Sequence, residues 1–325
     1  MTVDIPITIA CGDYDRTRAI KDGRVPVEGC AVTYIPLEPE EVFFRAFRYQ
    51  EFDVCELSLV GYLVARDQGK AFTAIPVFPH RRFRHGFVWK RTGCGVERPA
   101  DLNGRRVGLD TLQNSAGLWM RGILADHYGV DLRSIEWWCQ EEEDVAFEPA
   151  AWMKVRRVAK GGSIDRMLVE GQLEAAIYPE TLPSFRDGSP KVGLLFPNPK
   201  AAEIDYYKKS GIFPIMHTVV VKNAILERNP WVAMSVVQAF EKAKQLCYER
   251  MRDPRNLQLA WVREAMDEQQ AVLGKDAWPY GLVEPNRKAL EAVVRTMFDQ
   301  GMIRKKPEVE ELFFAPSLQE IQHYL

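Results

Sequence analysis

Apolar and polar positions follow two periods along the first 220 residues. Short β-rich apolar runs at 5–11, 31–36, 52–58 and 72–77 stop at turn or polar signals, and 87–90 adds another. Between them, 38–49 repeats at helical spacing, with Val42, Phe43, Ala46 and Phe47 on one face, and 59–68 forms a second short helix. Strands alternating with helices predict a largely parallel sheet covered on both faces. A Pro- and Asn-Gly-containing basic stretch at 98–108 opens a second α/β unit. It has strands at 106–109, 135–139 and 174–178 and helices at 115–128 and 163–170, the first capped by Asn114 or Ser115. After a loop-rich stretch from Pro179 to about 199 come a helix at 200–209 and a strand at 212–221. From 224 onward the pattern is helical, at 231–251, 257–272 and 286–300, and no internal repeat is present.

The simplest assembly is an α/β chain of two lobes. Residues 1–91 with 217–325 make lobe one, and 92–216 make lobe two. Each lobe carries a mostly parallel sheet flanked by helices, and the C-terminal region is helical. Two crossings define a cleft, and open α/β sheets bind ligands beyond the carboxyl ends of their strands. That rule nominates 12–18, 56–58, 78–85, 111–115 and 178–181.

Length and composition agree. The 325 residues exceed one ordinary core, and 46% hydrophobic with 27% charged residues is the balance of a globular chain. A net charge of −2 leaves no whole-chain footprint for nucleic acid or an anionic membrane. No run approaches the roughly 18 apolar residues of a transmembrane helix. The opening MTVDIPITIA reads as a first strand, not as a signal peptide. Cys11, Cys30, Cys55, Cys94, Cys139 and Cys247 form no CxxC and fit buried reduced thiols, so a cytoplasmic location is expected. Glycine-rich phosphate loops are absent, which removes support for a nucleotide cofactor.

Candidate chemistry gathers at the predicted strand ends. His80, Arg81, Arg84 and His85 lie in PHRRFRH, a run suited to a multiply charged anion because each guanidinium grips a carboxylate in a planar fork. Asp13, Tyr14, Arg16 and Arg18 form a second polar cluster in GDYDRTR. Glu56 ends an apolar strand, where a carboxylate is either ion-paired or raised in pKa, and Ser58 follows as a hydrogen-bonding group. His217 stands in an apolar run at the second crossing. Asn114, Ser115 and Glu180 are placed on the lobe-two wall. The acidic stretch 141–148 is expected to be a solvated loop, and Trp137, Trp138 and Trp278 to be packing residues. No HxH or HExxH spacing calls for a metal, so no cofactor is assigned, with a divalent metal left open.

Five stretches resemble the 4,5-dihydroxyphthalate decarboxylase family of the type II periplasmic-binding-protein-like superfamily: CGDYDRTRAIKDG (11–23), EEVFFRAFRYQEFDVCELSL (40–59), IPVFPHRRFRHG (75–86), GIFPIMHTVVVKN (211–223) and WPYGLVEPNRKALE (278–291). The resemblance implies a two-lobed fold with the active site in its cleft. It also implies loss of CO2 from an aromatic ortho-dicarboxylate, giving protocatechuate from 4,5-dihydroxyphthalate. That chemistry needs a base for the phenol, an acid for the ring carbon and arginines for the carboxylates. His217, Glu56 and His85 are the candidates for proton transfer. Asp13, Tyr14, Arg16, Arg18, Ser58, His80, Arg81, Arg84, Asn114, Ser115 and Glu180 are the candidates for substrate contact. The expected partner is a small aromatic carboxylate, with a homo-oligomer left open. The alternatives are a binding protein or sensor for such a ligand, and a decarboxylase of a related aromatic acid.

Overall fold

The computed structural model describes residues 4–318. The first sheet begins with β1 (Ile5–Cys11), α1 (Arg18–Lys21), β2 (Cys30–Pro36), α2 (Pro39–Tyr49), β3 (Val54–Ser58), α3 (Leu59–Asp67) and β4 (Phe72–Ile75). The second sheet takes β5 (Val88–Arg91), β6 (Arg106–Leu109), α4 (Ser115–Tyr128), β7 (Glu136–Cys139), β8 (Lys154–Arg157), α5 (Ile164–Glu170), β9 (Ala175–Ile177), α6 (Pro183–Arg186), β10 (Val192–Leu194) and α7 (Pro199–Ser210). The chain then returns to the first sheet as β11 (His217–Lys222) and continues through α8 (Asn223–Arg228), α9 (Trp231–Met251), α10 (Val262–Leu273) and α11 (Glu284–Asp299).

The strand orders are β2-β1-β3-β11-β4 and β10-β5-β9-β6-β7-β8. Consecutive βα units run parallel in both sheets, and β11, β5 and β10 pair antiparallel. Both sheets are therefore mixed, and β11 and β5, which run against their neighbours, are the strands by which the chain enters each sheet after a crossing. The sequence placed 87–90 in lobe one, but β5 bonds to β9 and β10 in the second sheet. The first crossing thus lies in the basic run near 79–84, before the Pro-Gly-rich stretch that suggested it. There the chain lies against 212–217: Arg81 bridges Ile215, and the Arg82 amide donates to the Pro214 carbonyl at 3.1 Å. The expected strand at 212–221 consequently begins only at His217.

Local chemistry explains the element ends nearest the cleft. Asn114 caps α4 by accepting from the Ala116 and Gly117 amides, and Ser58 caps α3 by accepting from Gly61. The C-terminal helices serve both sheets. In the α4–α11 contact, a Cβ on Gly122 would meet Thr296 at 2.9 Å, so only glycine permits this approach. Arg121 reaches across to Gln300 at 2.7 Å. Among the described residues no helix is long and apolar enough to cross a membrane.

Candidate active site

Strand β3 is buried along its whole length between β1 and β11, so the Glu56 side chain has no water to solvate it. A carboxylate there persists only if protein donors replace its hydration. Four do. Oε1 accepts from the Tyr14 hydroxyl at 2.8 Å and lies 2.6 Å from His217 Nδ1. Oε2 accepts from the Gly12 amide at 2.9 Å and from the Cys11 thiol at 3.3 Å. Sheet register creates the pairing: Val219 lies opposite Glu56 and His217 opposite Ser58, which makes Glu56 and His217 diagonal neighbours. Gly12 is needed because Tyr14 folds back over it; a Cβ would sit 2.4 Å from the phenol ring.

These contacts decide where protons reside. Burial by itself would raise the Glu56 carboxyl, but the charge and hydrogen bond of His217, with the Gly12 and Tyr14 donors, hold it below its ordinary value. Burial and the Glu56 charge push the Tyr14 phenol and the Cys11 thiol upward, so both keep their protons. With Nδ1 on the carboxylate, Nε2 is the nitrogen His217 presents outward. It lies 3.5 Å from His80 Nδ1, with the two rings edge to face at 4.6 Å. Burial, followed by His217, Arg84, Arg16 and Arg82, drives the His80 pKa far down, leaving that imidazole neutral. Tyr14 stacks on His80, and Phe43 of α2 packs edge-on against His217 at 5.0 Å.

Cationic and dipolar groups surround this pair. Arg16 donates through Nε to the Pro79 carbonyl at 2.5 Å, and its guanidinium lies over the rings of Tyr14 (4.2 Å) and Trp278 (5.0 Å). Arg84 donates to the Pro179 carbonyl at 2.9 Å and to Met216 Sδ at 3.3 Å. From the second sheet, Ser115 Oγ meets Ser58 Oγ at 2.9 Å, joining the amino ends of α3 and α4. The Val60 amide donates to the same Ser115 oxygen at 3.3 Å, so the two helix starts are tied to each other by side-chain hydroxyls. The arrangement offers a buried carboxylate–imidazole pair for proton transfer, beside guanidinium groups that suit a carboxylated ligand.

A 4,5-dihydroxyphthalate decarboxylase of Comamonas testosteroni is 32% identical over 327 residues, covering 98% of this chain and 99% of its own. The chain belongs to the 4,5-dihydroxyphthalate decarboxylase family. The namesake activity of that family is a carboxy-lyase reaction, and a Pseudomonas putida protein of the same name is 36% identical over 209 residues, 62% of this chain and 81% of its own. No protein-family model matches the chain. The periplasmic aliphatic sulphonate binding protein SsuA of Escherichia coli superposes with a TM-score of 0.59 at 10% identity, covering 97% of this chain and 99% of SsuA. The decarboxylase-family chain therefore has the two-lobed periplasmic-binding-protein-like fold.

Within this decarboxylase fold the remaining candidates separate. Glu56, His217, His80, Tyr14 and Arg16 form one contact cluster, and Ser58 of β3 joins Ser115, next to the Asn114 cap, across the two sheets. Arg81 stands apart from them in role. It is buried and donates to the Phe213 (3.2 Å) and Pro279 (3.0 Å) carbonyls and to the Asn286 side chain, so its fork pins the crossing. His85 is fully buried among Tyr128, Phe196 and Tyr206, and neither ring nitrogen has a partner. Burial holds its pKa down to about 4, so it serves as a neutral aromatic in packing, outside the Glu56 cluster. Asp13 turns outward to Lys21 at 2.8 Å and Arg18 at 3.7 Å, and Arg18 is half exposed. Glu180 is exposed.

Other residues contribute to this cluster and to the loop before α4 that the pattern did not single out. Glu143, expected on a solvated acidic loop, is nearly buried, and its carboxylate accepts from the Leu112 and Gln113 amides at 2.9 Å each. It thereby fixes the loop that leads into α4. Trp278, expected only to pack, supports Arg16. The Cys11 thiol, one of six free cysteines, is a ligand of Glu56. Among the described residues no three His, Cys, Asp or Glu side chains are grouped as metal ligands.

Proposed function

We propose that this chain decarboxylates 4,5-dihydroxyphthalate to protocatechuate and CO2 by protonating the ring carbon that bears the departing carboxylate. The observation that carries the reading is the buried Glu56–His217 pair, in a chain that shares its length with a decarboxylase of that name. An aryl carboxylate does not lose CO2 directly, because the electron pair left behind has no place to delocalise. A proton added to that carbon makes a dienone. The carbon–carboxylate bond then breaks, its electron pair returns to the ring, and CO2 leaves. His217 Nε2 delivers the proton, and the Glu56 carboxylate balances the charge of the imidazolium. Arg16 and Arg84 receive the two carboxylates, and the grip on the retained one must exceed that on the departing one. Asn114 and Ser115 line the opposite side, and Ser58 stands beside His217. The route uses no cofactor, and six free thiols suit a reducing cytoplasm.

Incubating the protein with 4,5-dihydroxyphthalate, while following CO2 and the ring absorbance, tests this. Turnover is expected, and His217→Ala should lower kcat by about 10²–10⁴-fold with a much smaller change in substrate affinity. Tight binding of the phthalate without CO2 release would favour a ligand sensor, and near-normal kcat in His217→Ala would remove the proton-transfer assignment.

A further inference from the structure

Protonation of the ring carbon is half of the reaction described above. The hydroxyl para to the departing carboxylate must lose its proton for the dienone to form. That oxygen is at the far end of the ring from the carbon being protonated. A group poised over the carbon is thus badly placed to serve the oxygen, and the Glu56 cluster, with its carboxylate already holding four donors, has no acceptor to spare.

A second carboxylate stands on the lobe-two side. Asp110 follows β6 at its carboxyl end, the position where ligands meet open α/β sheets. Its backbone carbonyl is held by the Gln140 and Glu141 amides at 3.0 Å each, and Oδ2 accepts from Asn114 Nδ2 at 3.3 Å. Asn114 caps α4, Ser115 follows it, and Ser115 touches Ser58 across the cleft. Ser58 is the register partner of His217. Asp110 and the histidine are therefore joined by a short chain of contacts running from one side of the cleft to the other.

We infer that Asp110 is the base that takes the proton of the substrate's para hydroxyl, so that the acid and the base of this decarboxylation sit on opposite lobes. The inference rests on the proposed decarboxylation. The proton balance closes. Asp110 takes the hydroxyl proton as His217 gives one to the ring carbon, and the hydroxyl oxygen becomes the dienone carbonyl. As CO2 departs, the bond pair restores the ring and leaves a phenolate. That phenolate recovers the proton from Asp110, while His217 is recharged from water, so each turnover consumes one proton. The surroundings of Asp110 fit a base. Burial raises its carboxyl to about 6, outweighing the lowering hydrogen bond from Asn114, and the charges of Glu141, Glu40 of α2 and Glu143 add smaller upward pushes. Tyr178, at the end of β9, feels the Asp110 charge in turn. A carboxylate lifted in this way is a stronger base than an ordinary aspartate and is still ionised at neutral pH.

The test compares Asp110→Asn with the parent protein in two assays. With 4,5-dihydroxyphthalate, Asp110→Asn should fall about 100-fold or more in kcat, and the acidic limb of the parent's kcat/KM profile near pH 6 should vanish. In binding, the parent should prefer 4,5-dihydroxyphthalate to plain phthalate by about tenfold or more. Asp110→Asn should lose that preference while holding phthalate as the parent does, which also shows that the variant is folded. A kcat within threefold of the parent, or an unchanged preference for the dihydroxy ligand, overturns the inference and leaves the decarboxylase reading intact. If the parent itself releases no CO2 from 4,5-dihydroxyphthalate, the underlying reading fails, and this inference with it.

Discussion

Glu56 lies within β3 and Asp110 just beyond the end of β6, and their surroundings push these two carboxylates in opposite directions. Glu56 is the more deeply buried, but donors occupy both of its oxygens and it stays ionised. Asp110 is less buried, but its burial is offset by only one side-chain donor and is reinforced by neighbouring carboxylates, so its proton affinity rises. Burial alone therefore does not predict the charge state of an acid. The number of donors and the sign of the neighbours decide it. In this protein the first environment suits a permanent counter-charge and the second a group that exchanges protons.

The contrast can be broken most forcefully at Glu56. Glu56→Gln should lower kcat about 100-fold or more by leaving His217 without its counter-charge, measured in steady-state assays with 4,5-dihydroxyphthalate. The same substitution should cost about 3 kcal/mol of stability at neutral pH, because it leaves buried donors mispaired. The Glu56 carboxyl is lowered by folding. Its contribution is thus present above the unfolded value near 4.3 and lost as the pH falls, so the penalty should shrink below about pH 4 in urea titrations.

Asp110 carries the opposite sign. Its folded pKa of about 6 exceeds the roughly 3.9 of an unfolded aspartate, so ionisation opposes folding as the pH rises through that window. Asp110→Asn should stabilise the protein by about 1–2 kcal/mol at pH 7–8, with the gain disappearing below about pH 4. Urea midpoints across that range check it, and a loss of stability at pH 8 would contradict the account of its environment. Glu143→Gln weakens the clamp on the Leu112 and Gln113 amides and should raise KM by about tenfold with a smaller effect on kcat, as loosened positioning does. The smallest change is expected from Tyr14→Phe. It removes one of four donors to Glu56 and should cost about 1 kcal/mol in thermal or urea unfolding.

Much of the scaffold is legible in the hydrophobic pattern, because βα alternation and helix caps are local signals. The helix expected at 231–251 coincides with α9, and of the two cap candidates at 114 and 115 the structure uses Asn114. The position of β5 was not legible, since a four-residue apolar run carries no information about which sheet it joins. Around the site, residue types at strand ends marked Glu56, His217, Arg16 and Arg84 but could not separate them from Arg81 and His85, which share one segment with His80 and Arg84. A side chain's direction in an irregular segment depends on what packs on it. For Arg81 that is the 279–286 region, some 200 residues away in the chain. Glu143 was read as solvated because acidic runs usually are. Its two backbone partners exist only once the 111–114 turn forms.

The paired segments at the crossing have a kinematic consequence. The His80 carbonyl accepts from the Met216 and His217 amides, at 2.9 and 3.2 Å, so both histidines are mounted on one two-stranded strap. Any rotation of one sheet against the other twists that strap as a unit and carries the two imidazoles together. Their spacing, with the rings edge to face at 4.6 Å, is set by the strap. The backbone thus ties the neutral imidazole of His80 to the histidine that Glu56 holds, across two segments some 137 residues apart in the chain.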